Sequence, residues 1–169
     1  YLAMDDHKNA LELVKKRLAK DPENQELLAE LARVYSLMGK LGEAEDTAKK
    51  IIAGNPDSSA GYTVLATVYQ SARQEGKALE ALKKAASMKG KNITPHMMLG
   101  LMYTAKKDYA SALDTYRKAE KVSPNNAQLI FQQGAVLEIM NKKKEAVSEY
   151  QRALRSSPNF VPALNNIAY

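Results

Sequence analysis

Side chains able to do chemistry are scarce in this sequence. There are two histidines, His7 and His96, and no cysteine in 169 residues. His7 directly follows Asp5 and Asp6, a weak match to a metal-ligand set, and acids there equally suit the positive end of a helix dipole. His96 stands far from it, at a position that suits a histidine at the edge of a core. No nucleophile, base and orienting group can be assembled from near neighbours. The absence of cysteine removes thiolate catalysis, disulfides and thiolate-bound zinc. No Gly-Lys pair has the upstream glycine and following Ser or Thr of a phosphate loop. Asn92-Ile93-Thr94 fits a glycosylation triplet, but no secretory leader precedes it, the N-terminus turning acidic and polar within a few residues. An enzyme, a cofactor and a metal are therefore not expected.

Charge offers more. The net charge is +6, and basic doublets recur at Lys15-Lys16, Lys49-Lys50, Lys83-Lys84 and Arg117-Lys118. The second member of each has an acid four residues earlier (Glu12, Asp46, Glu80, Asp114), the favourable orientation for a helical ion pair. Lys15, Lys49, Lys83 and Arg117 are then expected to be the mostly uncompensated members of a basic stripe on a convex face. No aromatic residues are interleaved for base stacking, so the stripe reads as a solvated face rather than a surface for nucleic acid or anionic lipid. Lys142-Lys143-Lys144 reads as a solubilising turn. No apolar run approaches the ~20 residues of a membrane span.

The elements that carry these residues repeat. Pro22, Pro56, Pro124 and Pro158 stand 34, 68 and 34 residues apart, with Gly90 at the missing place. An alanine twelve residues earlier recurs at Ala10, Ala44, Ala78, Ala112 and Ala146. Small residues recur at Ala32, Ala66, Gly100, Gly134 and Ala168, and aromatic ones at Tyr1, Tyr35, Tyr69 and Tyr103 before Leu137. Four columns on one period define a real repeat. Within it, Leu28, Leu31, Ala32 and Tyr35 form one amphipathic stripe, and Ala44, Ala48, Ile51 and Ile52 a second after the break at residues 39–42. Asn55-Pro56 ends the second helix, and Thr94-Pro95 should cap another first helix. Such a helix pair cannot bury its stripe alone, so neighbours must stack.

The 34-residue helix–turn–helix unit, with Leu-Ala-x-x-Tyr at 31–35 and 65–69, Leu-Gly-x-x-Tyr at 99–103, the later alanine and the closing proline, resembles the tetratricopeptide repeat. The resemblance spans essentially the whole chain as one array. It gives a partial repeat at 1–24, full repeats at 25–58, 59–92, 93–126 and 127–160, and a truncated first helix at 161–169. Departures are Gln133 at a leucine position, Leu137 at a tyrosine position, Arg17 in an alanine column and Gly90 for proline. Gln133 should be hydrogen-bonded or partly exposed. The resemblance implies an all-α, right-handed superhelical solenoid of antiparallel helix pairs. Neither end reads as a polar capping helix, so a segment of a longer bacterial repeat protein is expected, from cytoplasm, periplasm or envelope.

In that family, positions 2, 5, 9, 12 and 13 of each first helix face a concave peptide groove. Carried over, they include Arg33 in the first full unit, Thr63 and Thr67 in the second, Met97, Leu101 and Thr104 in the third, and Phe131, Ala135, Glu138 and Ile139 in the fourth. The groove should run from polar to apolar. Met97, Leu101, Phe131 and Ile139 are large, apolar and outside the packing columns, as an interaction patch would be, although cover by second helices or a missing cap would serve equally. The clamp that some members use for a C-terminal carboxylate is absent, because Ala29, Thr63, Met97 and Phe131 occupy its lysine position. The expected function is a protein–protein interaction scaffold binding a peptide or partner helix. The alternative is a structural or self-associating spacer.

Overall fold

The computed structural model describes residues 2–167, with side chains described for 6–166. Tyr1 and Ala168, members of two repeat columns, lie outside the described residues. The described chain is helical throughout: α1 (Leu2–Leu18), α2 (Gln25–Leu37), α3 (Leu41–Gly54), α4 (Ser59–Ser71), α5 (Glu75–Ser87), α6 (Thr94–Ala105), α7 (Tyr109–Val122), α8 (Ala127–Ile139), α9 (Lys143–Ser156) and α10 (Val161–Ile167). These form two compact units, Tyr1–Gly90 and Lys91–Tyr169. In the first, α1 packs on α2, α2 on α3, α3 on α4, α4 on α5, and α2 also touches α4. In the second, each helix from α6 to α10 packs on the next. One apolar stripe per helix leaves no other way to remove the leucine, alanine and tyrosine columns from water.

Local chemistry starts and stops these helices. Asn24 and Asn126 cap α2 and α8, their Oδ1 atoms accepting the N–H of Leu27 at 3.0 Å and Leu129 at 3.1 Å. Ser58 does the same for α4 through the Ala60 N–H, at 3.2 Å. Thr94 is not the cap of α6 but its first residue; the cap is Ile93, with no side-chain bond. Asn92 Oδ1 accepts the Thr94 N–H at 3.0 Å, an Asx turn that begins the helix one step early. Pro95 then sits where its missing donor costs nothing.

The first helices also end alike, by a device that only the structure reveals. Gly39, Arg73, Lys107 and Asn141, one period apart, all have positive φ, between 56° and 72°. After each, the next N–H returns to a carbonyl five residues back: Lys40 to Tyr35, Gln74 to Tyr69, Asp108 to Tyr103, and Lys142 to Leu137, all at 2.8–2.9 Å. This is the Schellman closure, which glycine enters freely and asparagine cheaply. Arg73 and Lys107 are exposed and carry the strain of a Cβ in this conformation. Arg73→Gly or Lys107→Gly should therefore raise stability by ~0.5–1 kcal/mol, after glycine's own entropy cost. The check is a higher urea midpoint at unchanged slope; a lower midpoint would contradict it.

Inside the helix pairs, bulk is matched across the interface. Tyr116 and Tyr150 are fully buried, one period apart. A Cβ on Gly100 would lie 2.5 Å from Tyr116 Cζ, and one on Gly134 would lie 2.5 Å from Tyr150 Cε1. One period earlier the same two positions hold Ala66 and Leu82, both buried. Glycine is thus present where tyrosine is the partner, and alanine suffices where leucine is.

Gln133, the polar residue in a leucine column, is buried at 3% exposure. Its Nε2 donates to Glu120 Oε2 at 2.8 Å. Arg152 Nη2 donates to the other oxygen of Glu120, while Nη1 donates to Glu149 Oε2 at 2.6 Å. The four side chains tie α7, α8 and α9 together. Burial raises the Glu120 carboxyl, but the bonds from Gln133 and Arg152 and the Arg152 charge outweigh it, so its pKa lies below the ordinary 4.5. Glu149 goes the other way, because burial, helped by the Glu120 charge, exceeds the pull of Arg152.

Candidate functional site

In the first unit, α2 and α4 enclose an open cleft of ≈ 430 Å³. From α2 come Ala29, Glu30, Arg33, Ser36 and Leu37; from α4 come Val64, Thr67, Val68 and Ser71. The spacings place each set on one helical face. Ala29, Leu37, Val64 and Val68 make the surface largely apolar. The hydroxyls are already committed: Ser36 donates to Ala32 O, Thr67 to Thr63 O and Ser71 to Thr67 O, each at 3.0 Å. Each hydroxyl has one hydrogen, so what remains to meet a ligand is its lone pairs. Glu30 stands 3.9 Å from Arg17 of α1. Arg33 is exposed and has no carboxylate within 4.0 Å among the described residues.

The residues picked from sequence are distributed unevenly. Arg33 and Thr67 line the cleft. Thr63 is half-buried, its hydroxyl donating to Ser59 O at 2.7 Å. In the second unit, Leu101 and Ile139 are 49% and 55% exposed. Met97 and Phe131 instead pack against the buried core of that unit. The Phe131 ring lies 5.4 Å from Tyr150 and 5.6 Å, edge-on, from Phe160. Thr104 and Ala135 are half-buried, and Thr104 donates to Gly100 O at 2.9 Å. Glu138 is exposed but not idle, since the Tyr150 hydroxyl donates to it at 2.6 Å and Asn166 Nδ2 donates to that hydroxyl at 3.1 Å. Burial and the Glu138 bond push Tyr150 up to about 12.

Val64 and Val68 complete the cleft, yet no column marks them as site residues. The signal available was the run Val64-Leu65-Ala66, wider in apolar character than a single stripe requires.

The basic stripe pairs differently from the expected pattern. Lys49 meets Glu45 at 2.8 Å and Lys83 meets Glu80 at 2.9 Å, so these first members of their doublets are compensated. Glu45–Lys49 is itself an i, i+4 pair, and Glu80 reaches the i+3 lysine. Lys118–Asp114, at 2.6 Å, follows the expected spacing. Lys15 lies over the Tyr35 ring, 5.9 Å from its centroid, and Arg117 is exposed.

His96 is half-buried on α6, with Nδ1 buried and unpartnered among the described residues. Burial, with a smaller push from Lys118, lowers its pKa below 6.5, so it is neutral near pH 7. The Asp5 side chain beside His7 lies outside the described residues. Among those that are described, no three His, Asp or Glu side chains come together to hold a metal ion. Nor is any described helix long and apolar enough to cross a membrane.

Family models described as tetratricopeptide repeat match residues 1–68, 94–126 and 127–160. The chain belongs to the tetratricopeptide repeat family. Three solved structures are similar to this tetratricopeptide repeat chain. MamA has a TM-score of 0.70 at 24% identity, over 94% of this chain and 93% of that one. TTC0263, described as a thermophilic TPR protein in Thermus thermophilus, gives 0.71 at 24%, over 99% and 91%. YrrB, described as a TPR protein with an unusual peptide-binding site, gives 0.68 at 18%, over 99% and 86%. At these identities the likeness is one of fold. No curated protein matches the sequence. In general terms, a tetratricopeptide repeat chain is a protein-interaction scaffold.

Proposed function

We propose that the α2/α4 cleft binds an extended peptide or one face of a partner helix. The observation that carries this reading is the identity of its lining residues. Ala29, Arg33, Ser36 and Leu37, with Thr67 and Ser71, occupy the repeat positions that the family turns toward its ligands. In the second unit, Leu101 and Ile139 occupy the same kind of position and are exposed, which supports a further contact region there. Phe131 and Met97 contribute chiefly to the core, so their substitution should disturb packing as well as binding.

The test is retention of a displayed library of random short peptides by the native chain and by two variants of matched helicity. Ala29→Trp fills the cleft with a ring, and Leu101→Glu charges the exposed position in the second unit. Loss of retained peptides with Ala29→Trp, and of a separate subset with Leu101→Glu, is the expected result. Equal retention by all three would move the site away from both helix faces.

A structural or self-associating role is favoured by a different observation. Leu13, on a second helix of the first unit, is 59% exposed, outside the positions that line the cleft. Sedimentation that changes with concentration, and stops changing with Leu13→Glu, would support that reading.

A further inference from the structure

Building on the groove reading, we infer that the ligand of the α2/α4 cleft is an acidic peptide segment, with an aliphatic side chain near a carboxylate and backbone N–H groups turned to one wall. Three independent features of the cleft select this chemistry. Ala29, Val64 and Val68 offer nothing polar, so the anchoring group is aliphatic.

The hydroxyls of Ser36, Thr67 and Ser71 have spent their hydrogens on carbonyls of their own helices. What they present is acceptor capacity, which an extended backbone satisfies with its N–H groups. A ligand offering only acceptors on that side would face unpaired lone pairs.

Charge decides the remaining feature. Two charged side chains line the cleft, Glu30 and Arg33. Glu30 lies 3.9 Å from Arg17, whereas the Arg33 guanidinium makes no ion pair among the described residues. An exposed planar donor beside an apolar surface is matched by a carboxylate, which it can hold through two parallel hydrogen bonds. A basic segment would bring like charge against Arg33, the cleft's one cation among the described residues. The recognition differs from capture of a chain terminus, because one arginine takes the place of a lysine–asparagine clamp and a side-chain carboxylate suffices.

The experiment is selection of displayed random short peptides on the intact chain, followed by retention of the enriched pool on Arg33→Gln, Arg33→Lys and Ala29→Trp, with helicity checked for each. Expected are sequences rich in Asp or Glu next to Leu, Ile or Val. Their retention should fall about tenfold with Arg33→Gln, fall less with Arg33→Lys, reach background with Ala29→Trp, and weaken with added salt. Enriched peptides that are neutral or basic, lost with Ala29→Trp but indifferent to Arg33→Gln, would overturn this inference while leaving the groove intact. Retention indifferent to Ala29→Trp, or no enrichment at all, would overturn the groove reading and this inference with it.

Discussion

Gly100→Ala should destabilise the second unit by about 2–3 kcal/mol, although helix propensity alone predicts a gain of about 1 kcal/mol for replacing a mid-helix glycine. Two effects of opposite sign compete here, and the structure shows which is larger. The new methyl would sit 2.5 Å from Tyr116 Cζ, on a ring that is fully buried. Close-packed interiors do not absorb such an overlap without moving the ring or the helix. The escape is visible elsewhere in the chain, where Ala66 and Leu82 hold the corresponding positions. Gly100→Ala combined with Tyr116→Leu should therefore recover most of the loss. Tyr116 suits this test because its buried hydroxyl makes no hydrogen bond of good geometry, so leucine sacrifices none. The neighbouring Thr104 hydroxyl only moderates the effect of burial, which pushes Tyr116 up to about 12. Urea unfolding of the two single variants and the double gives the coupling directly. Additive effects would refute the packing argument.

Arg152→Ala should cost about 2 kcal/mol, and here electrostatics decides. Removing the guanidinium leaves Glu120 and Glu149 facing each other with their shared cation gone. A fully buried pair broken this way loses about 3–5 kcal/mol; the partial exposure of Arg152 reduces that figure. Adding Glu149→Gln should restore about half, because it removes the repulsion.

The pH dependence has a definite sign for each carboxylate. The Glu120 pKa is held low in the folded chain, so its contribution is present above 4.5 and is lost as pH falls through the folded value. The Glu149 pKa is raised, so its contribution is present at acid pH and is lost as pH rises through its folded value. The two oppose each other in the native chain. Glu120→Gln should flatten the acid loss of stability, and Glu149→Gln should steepen it. Urea midpoints collected from about pH 3 to 7 would show both, and parallel profiles would contradict the assignment.

The repeat and the helix pairs were legible from sequence because their causes are local, whereas the one helix start read from sequence, Thr94, proved to be the first residue of α6 and not its cap. A proline or an apolar stripe acts within one or two turns, and a 34-residue period displays it several times over. Gln133 was legible in part: a polar residue in an apolar column must be hydrogen-bonded or exposed, and the structure buries it against Glu120. The Arg73 and Lys107 positions were hidden, since neither residue announces a left-handed turn as glycine does at Gly39. Ion pairing on the second helices was also beyond the pattern. Glu45 has a lysine four residues on, just as Asp46 does, and spacing alone cannot say which side chains meet.

The tertiary structure alone decided where apolar residues of the first helices are free. Phe131 and Leu101 look alike as groove candidates in sequence, but Tyr150 and Phe160 cover the first while the second stays half exposed. It also decided that the small-residue column must be glycine at 100 and 134, and that Ala29, Arg33, Thr67 and Ser71 share one cleft. Periodicity says which face of a helix a residue occupies. What lies opposite that face depends on the spacing and register of helices remote in sequence, which are set when side chains from different turns compete for the same volume.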